Sequence, residues 1–365
     1  MWFKKSRIYA DAAAATPLFP RAKAELVRLL DLYGNPGALH KEAVAAKNEL
    51  EKARKIVADA IGAHPDEIIF TSGGTEANNL ALHNAHGHVV TSAIEHSSVL
   101  APLEKSGATV TRLYEFDDIK DAITPETTLI SIQLVNSEVG TIQPIADIAK
   151  KIHGKNILLH ADASQAPLWV DIQVEKLHVD MMTLDGQKIG GPKGVGCIYI
   201  KRGTKLDPLI YGGGQERGMR SGTENVPLVG AFAVALQDAQ TNIKERVQKV
   251  GEVRDYLWQE IKKIAPDAVL HGPEPRVANN LNFSIPGLDG QMAVIALDAA
   301  GIAAGTRSAC DTGDDAPSHV LLALGVEPNL ARGAIRISLL PNATKTDTSC
   351  IVKEIANVVN LYRQK

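Results

Sequence analysis

The sequence predicts an α/β protein whose larger part is built on a mainly parallel sheet, and three observations carry that expectation. Between about residues 65 and 200, short apolar runs rich in β-branched residues alternate with helical stretches. Polar motifs follow several of these runs directly, at the strand C-terminal ends where open α/β sheets place ligands. The chain's 365 residues, 45% hydrophobic and 22% charged, are ordinary for a globular protein and long enough for two domains.

The strand-like runs are Ile68-Ile69-Phe70-Thr71, His88-Val89-Val90-Thr91, Leu129-Ile130-Ser131-Ile132, Ile157-Leu158-Leu159-His160 and Met181-Met182-Thr183-Leu184. Gly196-Cys197-Ile198-Tyr199-Ile200 reads as a further buried strand. Ahead of them, Lys41 to Gly62 is predicted as a long helix with Val44, Leu50, Val57 and Ile61 on one face and Gly62 as its stop. After them, Glu224 to Ile264 reads as mostly helical and leads out of the large domain. Leu281 to Ile285, a helix from Gly290 to Ala300, Ala334 to Ser338 and a final helix after Thr344 make a smaller α+β domain. The expected division gives residues 16–245 to the large domain, and 1–15 with 246–365 to the small one. Internal repeats and low-complexity tracts are lacking.

A formal net charge of −3 offers no electrostatic footprint for nucleic acid or an anionic membrane, which leaves small metabolites as the expected partners. The basic start Met1-Trp2-Phe3-Lys4-Lys5 precedes an Ala-rich run that Asp11 and Pro17 keep too short for a signal segment. No later stretch reaches the roughly 20 apolar residues of a membrane span, so a cytoplasmic enzyme is expected. The cysteines Cys197, Cys310 and Cys350 have neither metal-ligand spacing nor the density of a disulfide scaffold. Cys197, in its strand, and Cys350, in the C-terminal helix, read as small hydrophobes. His83, His86 and His88 read as a solvated loop cluster, and no metal is expected.

The chemistry-bearing residues lie after the strands. Lys188, in Leu184-Asp185-Gly186-Gln187-Lys188-Ile189-Gly190-Gly191-Pro192-Lys193, follows one run, and Asp162, in His160-Ala161-Asp162-Ala163-Ser164-Gln165, follows another. Pyridoxal phosphate needs such a pair: a lysine amine for its imine, and a carboxylate that keeps the pyridine nitrogen protonated so the ring can accept electrons. Thr71-Ser72-Gly73-Gly74-Thr75-Glu76 follows a strand and opens a helix, where free backbone N–H groups and a hydroxyl suit a phosphate. Glu95-His96-Ser97-Ser98 places an imidazole where it can stack on the ring and move protons.

Together these stretches resemble the cysteine desulfurases, class V members of the fold-type I pyridoxal-phosphate enzymes, of the short-loop kind. The resemblance runs nearly end to end. It also rests on Tyr9-Ala10-Asp11 with Thr16-Pro17-Leu18, Asn35-Pro36-Gly37 followed by His40, and Val135-Asn136-Ser137-Glu138-Val139-Gly140. Gly212-Gly213-Gly214-Gln215-Glu216-Arg217-Gly218 through Thr223, Ser308-Ala309-Cys310 and Ile335-Arg336-Ile337-Ser338 complete it. The family pattern implies a seven-stranded, mainly parallel sheet flanked by helices in the large domain. It implies that Lys188 bonds the cofactor, Asp162 pairs with the pyridine nitrogen, Gln165 bonds the phenolic oxygen, and His96 stacks on the ring and shuttles protons. Thr75 would bind phosphate, with Gln187 beside it, and Thr223 would reach the phosphate of the neighbouring subunit's cofactor, making a homodimer. Asn136 would lie beside the cofactor oxygen and the substrate carboxylate, and Arg336 would grip that carboxylate. Cys310 would be the nucleophile: L-cysteine is converted to L-alanine, and a persulfide remains on Cys310 for a sulfur acceptor such as an iron–sulfur scaffold.

The chain departs from the family at three places. A Ser or Thr and a His usually precede the lysine, where this sequence has Asp185 and Gln187. A carboxylate there either turns away, pairs with Arg220 or Lys193, or marks altered cofactor binding. Arg307 replaces a small residue near the nucleophile, which would depress the Cys310 pKa or bind an anionic substrate. The competing readings are another class V reaction, such as selenocysteine lyase, sulfinate lyase or aminotransferase, and a degenerate scaffold of the same fold.

Overall fold

The computed structural model describes residues 7–117, 119–306 and 316–363. Twelve strands run through the described residues: β1 (Ile8–Tyr9), β2 (Ile68–Thr71), β3 (His88–Ser92), β4 (Thr109–Leu113), β5 (Thr127–Gln133), β6 (Leu158–Asp162), β7 (Met181–Asp185), β8 (Gly196–Ile200), β9 (Val269–Leu270), β10 (Asn280–Ser284), β11 (Ile302–Ala303) and β12 (Ala334–Ser338). The chain forms two compact units, one of residues 17–134 and 143–241, the other of residues 1–16, 135–142 and 242–365.

In the unit of residues 17–134 and 143–241, seven strands form one sheet in the order β2-β8-β7-β6-β5-β3-β4. The ladders between β7, β6, β5, β3 and β4 are parallel, and β8 runs antiparallel to both β7 and β2. All residues of β2, β3 and β7 are buried, as a sheet covered on both faces by helices requires. Ile69, Leu80, Val89, Val99, Leu129 and Ile198 pack in one apolar cluster between the sheet and its helices. The sheet agrees with the expected runs, except that β4 joins at the edge and β6 is shifted so that it ends on Asp162 instead of beginning at Ile157.

The long helix runs over Lys41–Ile61, and Gly62 ends it at φ 71°, a conformation open to a residue without a Cβ. Its buried face is Ala43, Ala46, Leu50, Ala53, Val57 and Ile61, whereas Val44 is exposed. The small alanines take the core face because the neighbouring Val226–Ala239 helix packs closely against it. The predicted Glu224–Ile264 helix is two helices, Val226–Ala239 and Ile243–Ile264, broken where Asn242 adopts φ 54°. His88 is a buried β3 residue whose ring nitrogens bond Thr127 Oγ1 at 2.7 Å and Thr111 Oγ1 at 2.9 Å, so it does not belong to a solvated histidine cluster.

The other unit holds the antiparallel sheet β12-β10-β9 and the parallel pair β1-β11. The Lys345–Arg363 helix packs against the Ile243–Ile264 and Gly290–Ala299 helices, with Val250, Leu257, Phe283, Ile337 and Ile351 in the core. Cys197 is buried as expected, and burial pushes its thiol up; Cys350 is exposed, which corrects its reading as a packed hydrophobe. No described helix is long and apolar enough to cross a membrane, and the described residues contain no group of metal-ligating side chains.

A buried ion pair ties the glycine-rich loop to the sheet. Arg54 donates to both oxygens of Glu216 at 2.7 Å, Phe70 N–H donates to Glu216 at 2.9 Å, and Arg54 donates to Ile68 O at 2.8 Å. The two side chains are 4% and 2% exposed, so neither charge can turn to water. Glu216 and Arg217 sit at φ 47° and 58°, and this pairing over-determines that strained turn. Glu216→Leu is expected to strand the guanidinium and lower the unfolding free energy by about 3–5 kcal/mol, measured by denaturant titration, with Arg54→Met added in the same chain recovering most of the loss.

Candidate active site

Parallel strands deliver the candidate residues to one edge of the sheet. Asp162 is the last residue of β6, at the middle of the sheet, and its ladder partners are Gln133 on β5 and Thr183 on β7. The turn that follows β7, Gly186–Lys188, is therefore carried to the same edge on the adjacent strand. Gln165 lies just past β6, and His96 just past β3. Gln165, Gln187, Lys188 and His96 are partly exposed, and Thr75 is exposed.

Asp162 is buried and accepts three hydrogen bonds. Ser164 N–H reaches Oδ1 at 2.9 Å, Ser164 Oγ reaches the same atom at 2.6 Å, and Asn78 Nδ2 reaches Oδ2 at 2.7 Å. Asn78 projects from the Gly74–Leu82 helix, whose first turn no side chain caps. A Cβ on Gly74 would lie 2.9 Å from Ser164 Oγ and 3.3 Å from Asp185 Oδ2, so a side chain here would press on the hydroxyl that bonds Asp162. His96 is the N-cap of the Ser97–Lys105 helix: its Nδ1 accepts from Ser98 N–H at 3.1 Å and lies 2.8 Å from Ser98 Oγ. The sequence assigns no role to Asn78 or to Ser98, although Ser98 ends the His96 motif, because the contacts that join them to Asp162 form only through the fold.

Asp185 is buried and accepts from Gln187 N–H at 3.1 Å and from Gln187 Nε2 at 3.2 Å. Arg220 pairs with Glu76 instead, at 2.9 Å. Of the alternatives left by the sequence, pairing of Asp185 with Arg220 is therefore excluded. Thr223 lines a separate cavity of about 230 Å³ with Ser72, Arg220 and Glu224, whose lining includes neither Asp162 nor Lys188.

Asn136 and Arg336 both belong to the other unit. Asn136 Oδ1 accepts from Glu138 N–H at 2.8 Å and Val139 N–H at 2.9 Å, closing the turn of the 135–142 segment. Arg336 is 1% exposed on β12; it donates to Asp11 Oδ1 at 2.8 Å and to Ser137 O at 3.2 Å, and its buried Nε has no partner. Gly305 bridges the Arg336 backbone, and a Cβ there would come within 2.9 Å of both the guanidinium and Asp11. Cys310 and Arg307 lie outside the described residues.

Two buried titratable groups sit near Asp162. Glu95 is fully buried, and burial is the main force raising its carboxyl well above the usual range, opposed by a hydrogen bond from Gln133 N–H at 2.8 Å. His160, two residues before Asp162, is held down to about 4 by burial, its ring nitrogens on Ser131 Oγ at 2.8 Å and Thr183 Oγ1 at 3.1 Å.

Comparison with known proteins agrees with this arrangement. The family model for aminotransferase class-V matches residues 8–350. A cysteine desulfurase IscS from Dictyoglomus turgidum is 38% identical, covering 98% of this chain and 96% of the relative. A cysteine desulfurase IscS from Methanosarcina thermophila is also 38% identical, covering 98% and 93%. A solved NifS-like protein superposes with a TM-score of 0.91 at 33% identity, over 97% of this chain and all (100%) of the other. The solved SspA in complex with cysteine has a TM-score of 0.79 at 34% identity, over 92% and 100%. The chain belongs to the class-V aminotransferase family, among its cysteine desulfurases.

His160 gives the site unit a pH signature. Its folded pKa of about 4 lies below the unfolded value of 6.5, so its contribution is complete above pH 6.5 and is lost as pH falls towards 4. Denaturant titration of the cofactor-free protein is expected to show about 2 kcal/mol less stability at pH 5 than at pH 7 from this group, and His160→Gln is expected to remove that part of the slope.

Proposed function

We propose that the protein is a pyridoxal-phosphate-dependent cysteine desulfurase that converts L-cysteine to L-alanine and leaves a persulfide on Cys310. The observation that carries the reading is the delivery of Asp162 and the Lys188 turn to one sheet edge by adjacent strands, in a chain whose full-length relatives are named cysteine desulfurases. The donor set fits the cofactor: a lysine amine, a buried carboxylate that accepts hydrogen bonds, and a helix start left uncapped by side chains. When bound, the cofactor supplies an electron sink that makes the substrate α-proton acidic.

The chain's own residues do the rest. Lys188 holds the cofactor and takes or returns the α-proton, and His96 stacks on the ring and shuttles a second proton. Asp162 accepts from the pyridine nitrogen, Gln165 donates to the phenolic oxygen, and Thr75 with the Gly74–Leu82 helix start binds the phosphate, with Gln187 next to it. Asn136 and Arg336 bind the substrate carboxylate; Arg336 keeps donors beyond those spent on Asp11 and Ser137, its unpartnered Nε among them. The Cys310 thiolate attacks the substrate sulfur, the Cβ–S bond breaks with its electron pair going to carbon, and a proton completes alanine. On this reading, residues 16–245 bind the cofactor, and residues 1–15 with 246–365 carry the cysteine loop. The enzyme is a cytoplasmic homodimer with Thr223 donated across the interface, and its acceptor is a sulfur-carrying protein such as an iron–sulfur scaffold.

Brief exposure of the purified protein to L-cysteine is expected to add one sulfur to Cys310, seen by peptide mass spectrometry. Cys310→Ala should abolish alanine and sulfide release while keeping an absorbance band near 420 nm, roughly where protonated cofactor imines absorb, and Lys188→Ala should remove that band. Pyruvate-dependent amino exchange that survives Cys310→Ala would instead establish transamination. Arg336→Lys keeps the charge but loses the planar fork, and steady-state kinetics should show KM for cysteine raised about ten- to a hundredfold.

A further inference from the structure

A continuous run of hydrogen bonds joins His96 to Asp162 through two residues the reaction chemistry does not name. Asn78 Nδ2 donates to Asp162 Oδ2 at 2.7 Å and to Ser98 Oγ at 2.9 Å, which uses both amide protons. Ser98 Oγ lies 2.8 Å from His96 Nδ1, which also accepts the Ser98 backbone N–H at 3.1 Å. Asn78 and Ser98 are 1% and 8% exposed, so water does not substitute for these contacts.

The directions of the bonds are fixed by the ends. Turning the Asn78 amide over would set its oxygen against the Asp162 carboxylate and the serine oxygen, so the nitrogen must face them. That choice leaves Asn78 Oδ1 buried without a partner, a cost that local packing alone gives no reason to bear. Because the Ser98 backbone N–H donates to His96 Nδ1, that nitrogen presents its lone pair, and the Ser98 hydroxyl, which accepts from Asn78, donates to it. An imidazole nitrogen that accepts from an N–H and an O–H carries no proton, so the ring proton lies on Nε2.

We propose that Asn78 and Ser98 are positioning residues that lock His96 in its Nε2–H tautomer and tie its orientation to the carboxylate of Asp162. This rests on the reading of His96 and Asp162 as cofactor-facing groups. It assigns the two ends of the cofactor ring environment to one hydrogen-bonded unit, with Asn78 bonded to Asp162 and Ser98 bonded to His96. Ser98 acts only through His96, and Asn78 acts through both His96 and Asp162.

Two measurements test it. In the cofactor-free protein labelled with ¹⁵N-histidine, His96 is expected to show an unprotonated, hydrogen-bonded Nδ1 and a protonated Nε2; Ser98→Ala and Asn78→Leu should each move the Nδ1 resonance, and Ser98→Thr, which keeps the hydroxyl, should return it. In the loaded enzyme, Ser98→Ala and Asn78→Leu should each lower kcat about tenfold with KM for cysteine nearly unchanged, and the effect of Ser98→Ala should vanish in a His96→Gln background. A protonated Nδ1 in the wild type, an Nδ1 resonance unmoved by Ser98→Ala, or a Ser98→Ala loss that persists at full size without His96 would overturn the proposal. If the protein proves unable to bind pyridoxal phosphate, the assigned function fails while the labelled cofactor-free protein still decides the tautomer.

Discussion

The constraint on which the site unit depends is the burial of the Asp162 carboxylate at the end of a central strand. A carboxylate taken out of water must be given hydrogen-bond donors, and the backbone of a parallel strand end supplies few. Ser164 meets one oxygen from the turn after β6, and Asn78 meets the other from the Gly74–Leu82 helix. That second donor brings the helix start close to the strands, where a Cβ on Gly74 would press on Ser164 Oγ. The close approach of this helix to the strand ends thus follows from satisfying one buried group. Glu95 lies in the same field, and its own burial raises it toward the protonated form, opposed by the Gln133 N–H.

What could be read from the sequence divides along the same physical line. Runs such as Ile68-Ile69-Phe70-Thr71 and Met181-Met182-Thr183-Leu184 were legible because strands buried on both faces leave an unbroken apolar signature. Thr109-Val110-Thr111-Arg112-Leu113 gave no such signal, since β4 is an edge strand that leaves Thr109 and Arg112 exposed. Lys188, Asp162 and His96 could be found because each follows a strand-like run and bears chemistry in its own side chain. Asn78 and Ser98 could not, as their partners are 84 and 20 residues away and an asparagine inside a helix or a serine near a helix start is common for local reasons. His88 was misread for the converse reason: a histidine buried by two threonine hydroxyls from other strands looks like a loop histidine until those strands are laid beside it.

In the other unit the organising group is a buried arginine. Arg336 reaches Asp11 across 325 residues of sequence and the Ser137 carbonyl across 199, so β12, the N-terminal segment and the 135–142 turn are held by one guanidinium. Asp11 balances its charge, and Gly305 allows the backbone to pass against it without displacing either. A lysine would offer one ammonium where two separate donor directions are used, and the Nε direction is one the protein leaves unfilled.

Asp185 and Gln187 show how far the family pattern can shift without disturbing this framework. The family's hydroxyl and imidazole at these positions are donors, whereas here Gln187 spends a backbone and a side-chain donor on Asp185. These two bonds hold Gln187 against the buried Asp185 carboxylate and keep the turn before Lys188 closed. On the proposed reading, phosphate recognition would rest mainly on the backbone N–H groups at the start of the Gly74–Leu82 helix and the Thr75 hydroxyl, which act through dipoles instead of a formal charge.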